Sequence, residues 1–303
     1  MPKVAAKVAP KIPAAESPGK IGPAFPGLPT GLSAKLICLE NTLRSLSTNG
    51  EFGLAFSGGL DSRFLAYFAQ QAGLRPVILH ARGPHYPRSD TASALAWAVA
   101  HNLEPRVVAI NPLDIPQVAN NAKDRCYHCK FHIFSRMKAQ ISVLADGAHS
   151  TDAQSYRPGL RAGAELEVAS PLTLAGMSKA DIHQSAVWLG LDNPAQQARP
   201  CLLTRFAYGL PATEDMLGRL DLAEREIAAL LTAKLDPAPA FRLRLLPGGQ
   251  LELHLAANDP PKPVPEPLVT SLANIISKTM PMPLNRLQYQ ETLSGFFDRS
   301  ELN

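Results

Sequence analysis

The chain has 303 residues, 46% of them hydrophobic, with a formal net charge of +4, enough apolar matter for one large core or two modest ones. No apolar run approaches the roughly 18–20 residues of a membrane span, no compact apolar segment near the N-terminus suggests a secretory signal, and the mild basic balance lacks the clustered stripe of a nucleic-acid binder. A cytoplasmic protein acting on an anionic small molecule is the expectation.

In chain order, residues 1–32 come first, rich in proline, alanine and lysine (Lys3, Lys7, Lys11 and Lys20). They read as a disordered, partly polyproline II leader. Leu36, Leu39, Leu43 and Leu46 then recur at helical spacing ahead of an apolar strand, Phe52 to Phe56. After Ser57-Gly58-Gly59-Leu60-Asp61-Ser62, a helix from Ser62 to Ala72 carries Phe64, Leu65 and Phe68 on one side. A strand over Pro76–Leu79, a helix over Ser89–His101, a strand over Arg106–Ile110, a helix through Cys126 and a strand over Ser142–Ala145 follow. This alternation predicts an α/β fold with a doubly wound parallel sheet, whose ligands bind at the carboxyl ends of the strands. Helices over Ser178–Leu189 and Thr213–Ala233 come next. Phe241–Leu245 and Leu251–Leu255, two period-two runs about Gly248-Gly249, then read as a β-hairpin. The expected organisation is a nucleotide-binding domain over residues 33–204 and a smaller C-terminal α+β domain over 205–303, with Asp259–Pro267 as a linker or rigid loop.

The strand–glycine turn–helix around Gly58 is an anion cradle in outline. Glycines let backbone amides approach a phosphate, and a helix start adds N–H groups and a positive dipole end. Ser57 and Ser62 add hydroxyl donors, and no lysine follows the glycines as a Walker A loop requires. The SGGxDS pattern resembles the PP-loop of ATP pyrophosphatases, which split ATP between its α and β phosphates. That resemblance implies a HUP-like sheet and an ATP site at Ser57, Gly58, Gly59, Asp61 and Ser62.

Three of the four cysteines keep conspicuous company: Cys126 and Cys129 form a CxxC pair inside Arg125-Cys126-Tyr127-His128-Cys129-Lys130, and Cys201 precedes Leu202-Leu203-Thr204-Arg205. In an α/β protein of this kind a CxxC points to redox chemistry or metal rather than to a structural disulfide. Three thiolates suit an iron–sulfur cluster with one open iron. Zinc would want a fourth ligand, from Cys38, His128 or His132; redox or inert thiols are the remaining alternative. Cys38, in the leucine-rich helix, is expected to be an ordinary buried thiol.

Together these features resemble the LarE family of ATP-dependent sulfur transferases, which make the nickel-pincer nucleotide cofactor. The matching stretches are SGGLDS, Asp124 to Lys130, Tyr156-Arg157-Pro158-Gly159-Leu160, Ser170-Pro171-Leu172 with Ala175 to Lys179, Cys201 to Arg205 with Tyr208-Gly209, Arg242-Leu243-Arg244 and the ending from Phe297. The resemblance implies adenylation of a carboxylate of pyridinium-3,5-biscarboxylic acid mononucleotide, release of pyrophosphate, and displacement of AMP by sulfur to leave a thiocarboxylate. It implies that Asp61 places Mg²⁺ and that Arg205, Arg242 and Arg244 hold the substrate phosphate. Cys126, Cys129 and Cys201, as in the three-cysteine members, would carry the sulfur chemistry on a 4Fe–4S cluster. The expected partners are a small-molecule nucleotide and further copies of the chain, with neither membrane nor nucleic acid. Departures are visible: Gly147 to Ser155 holds fewer acids than the family's stretch before YRPG, Leu174 stands where glutamate is usual, and Thr204 replaces a serine. The rival readings are a PP-loop enzyme of tRNA thiolation and a non-catalytic nucleotide-binding or iron–sulfur scaffold.

Overall fold

The computed structural model describes residues 25–154, 158–196, 199–257 and 263–299. In chain order its elements are α1 (Thr30–Leu46), β1 (Glu51–Ala55), α2 (Leu60–Gln71), β2 (Arg75–Arg82), α3 (Arg88–Ala100), β3 (Pro105–Ala109), α4 (Pro116–Ala119), α5 (Arg125–Lys138) and β4 (Leu144–Ala145). They continue with α6 (Gly159–Glu165), α7 (Pro171–Leu174), α8 (Lys179–Trp188), α9 (Glu214–Lys234), β5 (Phe241–Leu246), β6 (Gln250–Ala256), α10 (Glu266–Thr279), β7 (Arg286–Gln290) and α11 (Phe296–Arg299). Among the described residues no helix is long and apolar enough to cross a membrane. The elements group into two units.

The first unit takes the described residues up to Arg82, Ser89–Ile110 and Cys126–Arg199. Its sheet has four parallel strands in the order β3-β2-β1-β4. β1 is hydrogen-bonded on both sides, so Phe52 and Leu54 are wholly buried, as an apolar run in an interior parallel strand should be. Phe64, Leu65 and Phe68 of α2 and Leu36, Leu39 and Leu43 of α1 complete one core cluster. The doubly wound α/β sheet is as expected, with the strand order reversing between β1 and β4. Regular β4 is shorter than the expected strand: only Leu144–Ala145 qualify, although Val143 still accepts a hydrogen bond from Gly53 N (2.9 Å).

Two expectations are corrected here. Residues 25–32 do not belong to a disordered leader, because the apolar side chains among them are used: Phe25 is 1% exposed against Phe68 and Trp188, and α1 starts at Thr30. Residues 1–24 lie outside the described residues. Cys38 is exposed rather than buried. The inward stripe of α1 runs through Leu32, Leu36, Leu39 and Leu43, and Cys38 falls outside that i, i+3/i+4 set.

The second unit takes Gly83–Arg88, Asn111–Arg125 and the chain from Pro200 onward. The hairpin is present: β5 and β6 pair antiparallel, while β6 and β7 pair parallel through α10. The 21-residue α9 turns Leu217, Leu220, Ala223, Ile227 and Leu231 inward. The unit is not contiguous in sequence, since Gly83–Arg88 and Asn111–Arg125 come from within the span read as the first domain. Hydrogen bonds hold them there: Asn121 Nδ2 donates to the carbonyls of Phe206 (3.1 Å) and Ala207 (2.7 Å), and Leu202 N donates to His85 O (2.8 Å).

Candidate functional site

In the first unit β1 ends where Phe56 N donates to Leu79 O (2.9 Å), and the chain turns through Ser57-Gly58-Gly59 into α2. Gly58 has φ +77°, and a Cβ there would stand 2.4 Å from the Ala94 Cβ, so glycine is required twice over. Gly59 N donates to Ser57 Oγ (3.3 Å), the hydroxyls of Ser57 and Ser62 lie 3.2 Å apart, and Ser62 donates to Gly59 O (3.0 Å). No side chain caps α2, which leaves the N–H groups of its first turn for an anion. The five residues expected at an ATP site are therefore brought together at the carboxyl end of β1, beside the strand-order reversal.

Several neighbours were not singled out by sequence. Lys179, the first residue of α8, donates from Nζ to Asp61 Oδ1 at 2.6 Å. Asp146, directly after β4, is buried and accepts from Ala148 N (3.1 Å) and Ser170 Oγ (2.8 Å). Gly147 brings that backbone onto the start of α2, where a Cβ would lie 3.2 Å from Ser62 N. His149 N donates to Asp152 Oδ2 (3.2 Å), and His149 Nδ1 is 2.9 Å from Thr151 Oγ1. The signal was present for two of these: Asp146 follows a predicted strand, and Lys179 ends a stretch quoted for the resemblance. His80 of β2, buried, lies with Nδ1 2.9 Å from Phe56 O, and burial lowers its pKa.

Cys126 and Cys129 are three residues apart on α5, hence on one face, and both are half-buried. α5 meets α6 through Tyr127, whose hydroxyl donates to Glu165 (2.6 Å) and whose ring lies 3.7 Å from the Arg161 guanidinium carbon. Tyr156 and Arg157, half of the YRPG stretch, lie outside the described residues.

Cys201 belongs to the second unit and opens a 3-10 turn, Leu202–Arg205. Its carbonyl accepts from Thr204 Oγ1 (2.8 Å) and Arg205 Nη1 (3.3 Å). Arg205, buried, makes a bidentate pair with Glu224 of α9 (2.9 and 2.7 Å) and also donates to Pro200 O and Thr204 Oγ1. Glu224 in turn accepts from Leu243 N of β5 (3.0 Å). Arg242 and Arg244 share a face of β5, and Arg244 is 3% exposed. It donates to His254 Nδ1 (3.1 Å), Thr204 O (3.1 Å) and Leu293 O, with Phe296 and Phe297 stacked against its guanidinium. Burial, then the charges of Arg205 and Arg242, lowers its pKa to about 10. His254 Nε2 lies 2.8 Å from Glu252 Oε2 and 2.7 Å from Gln288 Nε2, and burial lowers the His254 pKa, favouring the neutral ring.

In donor type the three cysteines suit an iron–sulfur cluster or zinc, both of which take thiolates. They are divided between the units, and within either unit, among the described residues, no three His, Cys, Asp or Glu side chains are grouped as a metal site.

A parallel sheet reversing beside a glycine turn and an uncapped helix defines a Rossmann-like α/β protein, consistent with the PP-loop fold. No protein-family model matches the chain, but curated relatives do. The uncharacterized protein slr1717 of Synechocystis sp. is 33% identical over 195 residues, 61% of this chain and 72% of the relative. The chain belongs to the family of that protein. The uncharacterized protein MJ0830 of Methanocaldococcus jannaschii is 29% identical over 195 residues, 63% of this chain and 74% of the relative. A third relative, the pyridinium-3,5-bisthiocarboxylic acid mononucleotide synthase of Lactiplantibacillus plantarum, is 29% identical over 187 residues, 58% of this chain and 67% of the relative. It supports the LarE-like character of the family.

Proposed function

We propose that the protein is an ATP-dependent sulfur transferase that converts a carboxylate of pyridinium-3,5-biscarboxylic acid mononucleotide into a thiocarboxylate, a step of nickel-pincer cofactor synthesis. The observation that carries the reading is the glycine turn at the carboxyl end of β1, with α2 uncapped behind it. The name of the L. plantarum relative supports the substrate class.

The loop amides with Ser57 and Ser62 hold the β and γ phosphates of ATP. A carboxylate oxygen of the substrate attacks the α phosphorus; the new P–O bond forms as the bridge to the β phosphate breaks, and pyrophosphate leaves. The work of the site is positioning and charge neutralisation. Lys179 supplies one positive charge at the loop, 2.6 Å from Asp61. Asp61 is the residue to hold Mg²⁺, which prefers carboxylate and phosphate oxygens. A sulfur nucleophile then adds to the activated acyl carbon, and AMP departs with the carboxylate oxygen. Cys126, Cys129 and Cys201 are the residues to hold a 4Fe–4S cluster, which when bound would supply an exchangeable sulfide as that nucleophile. Arg205 and Glu224 fix the backbone that presents Cys201.

Two measurements test this. Incubation with ATP and the dicarboxylate should yield a product heavier by one oxygen-to-sulfur exchange, and an unchanged substrate mass would refute the reading. Anaerobically isolated protein should be brown and lose its iron in Cys126→Ala and Cys201→Ala; stoichiometric zinc in a colourless, active protein would remove the cluster from the account.

A further inference from the structure

Four arginines of the described residues are buried: Arg63, Arg125, Arg205 and Arg244. Three of them have a use for their charge. Arg63 donates to Asp192 and to the Asn193 carbonyl; Arg205 is committed to Glu224 and the Cys201 turn; Arg244 donates to His254 and two carbonyls. Arg125, 4% exposed at the start of α5, differs. Its Nε and Nη1 are buried with no hydrogen-bond partner among the described residues. Its guanidinium lies over the Tyr208 ring, whose centroid is 4.5 Å from the guanidinium carbon. The Tyr208 hydroxyl is tied to the Asp298 carboxylate, so the ring forms a fixed platform under the guanidinium plane.

A ring supports one face of a guanidinium and leaves its N–H edges unserved. Burying such donors unpaired is strongly unfavourable, and native structures rarely tolerate it without an unseen ligand. The planar fork matches an oxyanion with two oxygens in reach, phosphate above all. We infer that Arg125, stacked on Tyr208, is an oxyanion-binding residue of the second unit that takes a phosphate monoester. Resting on the function proposed above, that group is the phosphate of the mononucleotide substrate. It contacts Arg125 rather than Arg205, whose donors are already used.

The test titrates inorganic phosphate into the full-length protein with a non-hydrolysable ATP analogue present to fill the glycine loop, comparing wild type, Arg125→Met and Arg125→Lys. Arg125→Met should bind phosphate at least ~10-fold more weakly, the loss of charge-assisted hydrogen bonds, while affinity for the ATP analogue is unchanged. It should also melt no lower than wild type in phosphate-free buffer, because it removes a buried unpaired charge; a structural arginine would behave oppositely. If Arg125→Met does not fold, Arg125→Lys decides, with weakened phosphate binding at an unchanged melting temperature supporting the site. Equal phosphate affinity in wild type and variant, or acetate competing as strongly as phosphate, would overturn the inference. Absence of thiocarboxylate product with Arg125-dependent phosphate binding intact would count against the proposed function alone.

Discussion

At Gly58 two independent constraints meet: a left-handed φ of +77° and an Ala94 Cβ 2.4 Å from where a side chain would begin. Gly58→Ala should therefore cost about 2 kcal/mol of stability and weaken ATP binding disproportionately, since the loop must shift to relieve the contact. Urea denaturation alongside ATP titration checks this, and unchanged ATP affinity would separate the loop from the nucleotide. The residues of this loop were legible because they are consecutive. The contact of Lys179 with Asp61 was not, because the two lie 118 positions apart, although Lys179 itself ends a stretch quoted for the resemblance. Arg125 also escaped notice, since only burial exposes its unmatched donors.

Among the elements, the pairing of β5 with α9 and the Cys201 turn turns on one carboxylate. Glu224 accepts from both Arg205 and Leu243 N, and its pair with Arg205 is largely buried. Glu224→Gln leaves the arginine's charge uncompensated and should cost about 3–5 kcal/mol, read as a lowered urea midpoint. A change below 1 kcal/mol would mean that the pair is not buried in solution. The alternation of β5 was visible in sequence, and it puts Arg242 and Arg244 on one face. Alternating apolar and basic residues ordinarily mark a half-solvated strand, however, and here Phe296 and Phe297 of α11 cover Arg244. Nothing local to Phe241–Leu246 announces a helix some fifty residues on.

For the molecule as a whole, the buried His80, His85 and His254 tie stability to pH. His80 and His254 have lowered pKa values, chiefly through burial, and burial takes His85 to about 3. The unfolded histidines bind protons near pH 6.5 and the folded state binds fewer there, so stability is full above that value and falls as pH drops through it. His85, which stays neutral across this range, should cost about 1.4 kcal/mol between pH 7.5 and 5.5, and His80 and His254 add to the loss in the same direction. Urea curves at the two pH values check this, and His85→Asn should remove about one such increment; a flat profile would show that these side chains do not remain neutral in the fold.

The parallel sheet was legible from period and punctuation, because each βα turn is a local event. The make-up of the second unit was not, since Asn121 reaches the Phe206 and Ala207 carbonyls across 85 and 86 positions. The three cysteines were legible as residues that chemistry would want, but their common use is a claim about function. It rests on what happens to ATP. The decisive measurement counts the nucleotide products formed with and without pyridinium-3,5-biscarboxylic acid mononucleotide. AMP and pyrophosphate should form in equal amounts, only when the dicarboxylate is present; ADP as the product, or AMP formed equally well without the dicarboxylate, would contradict adenylation of that substrate.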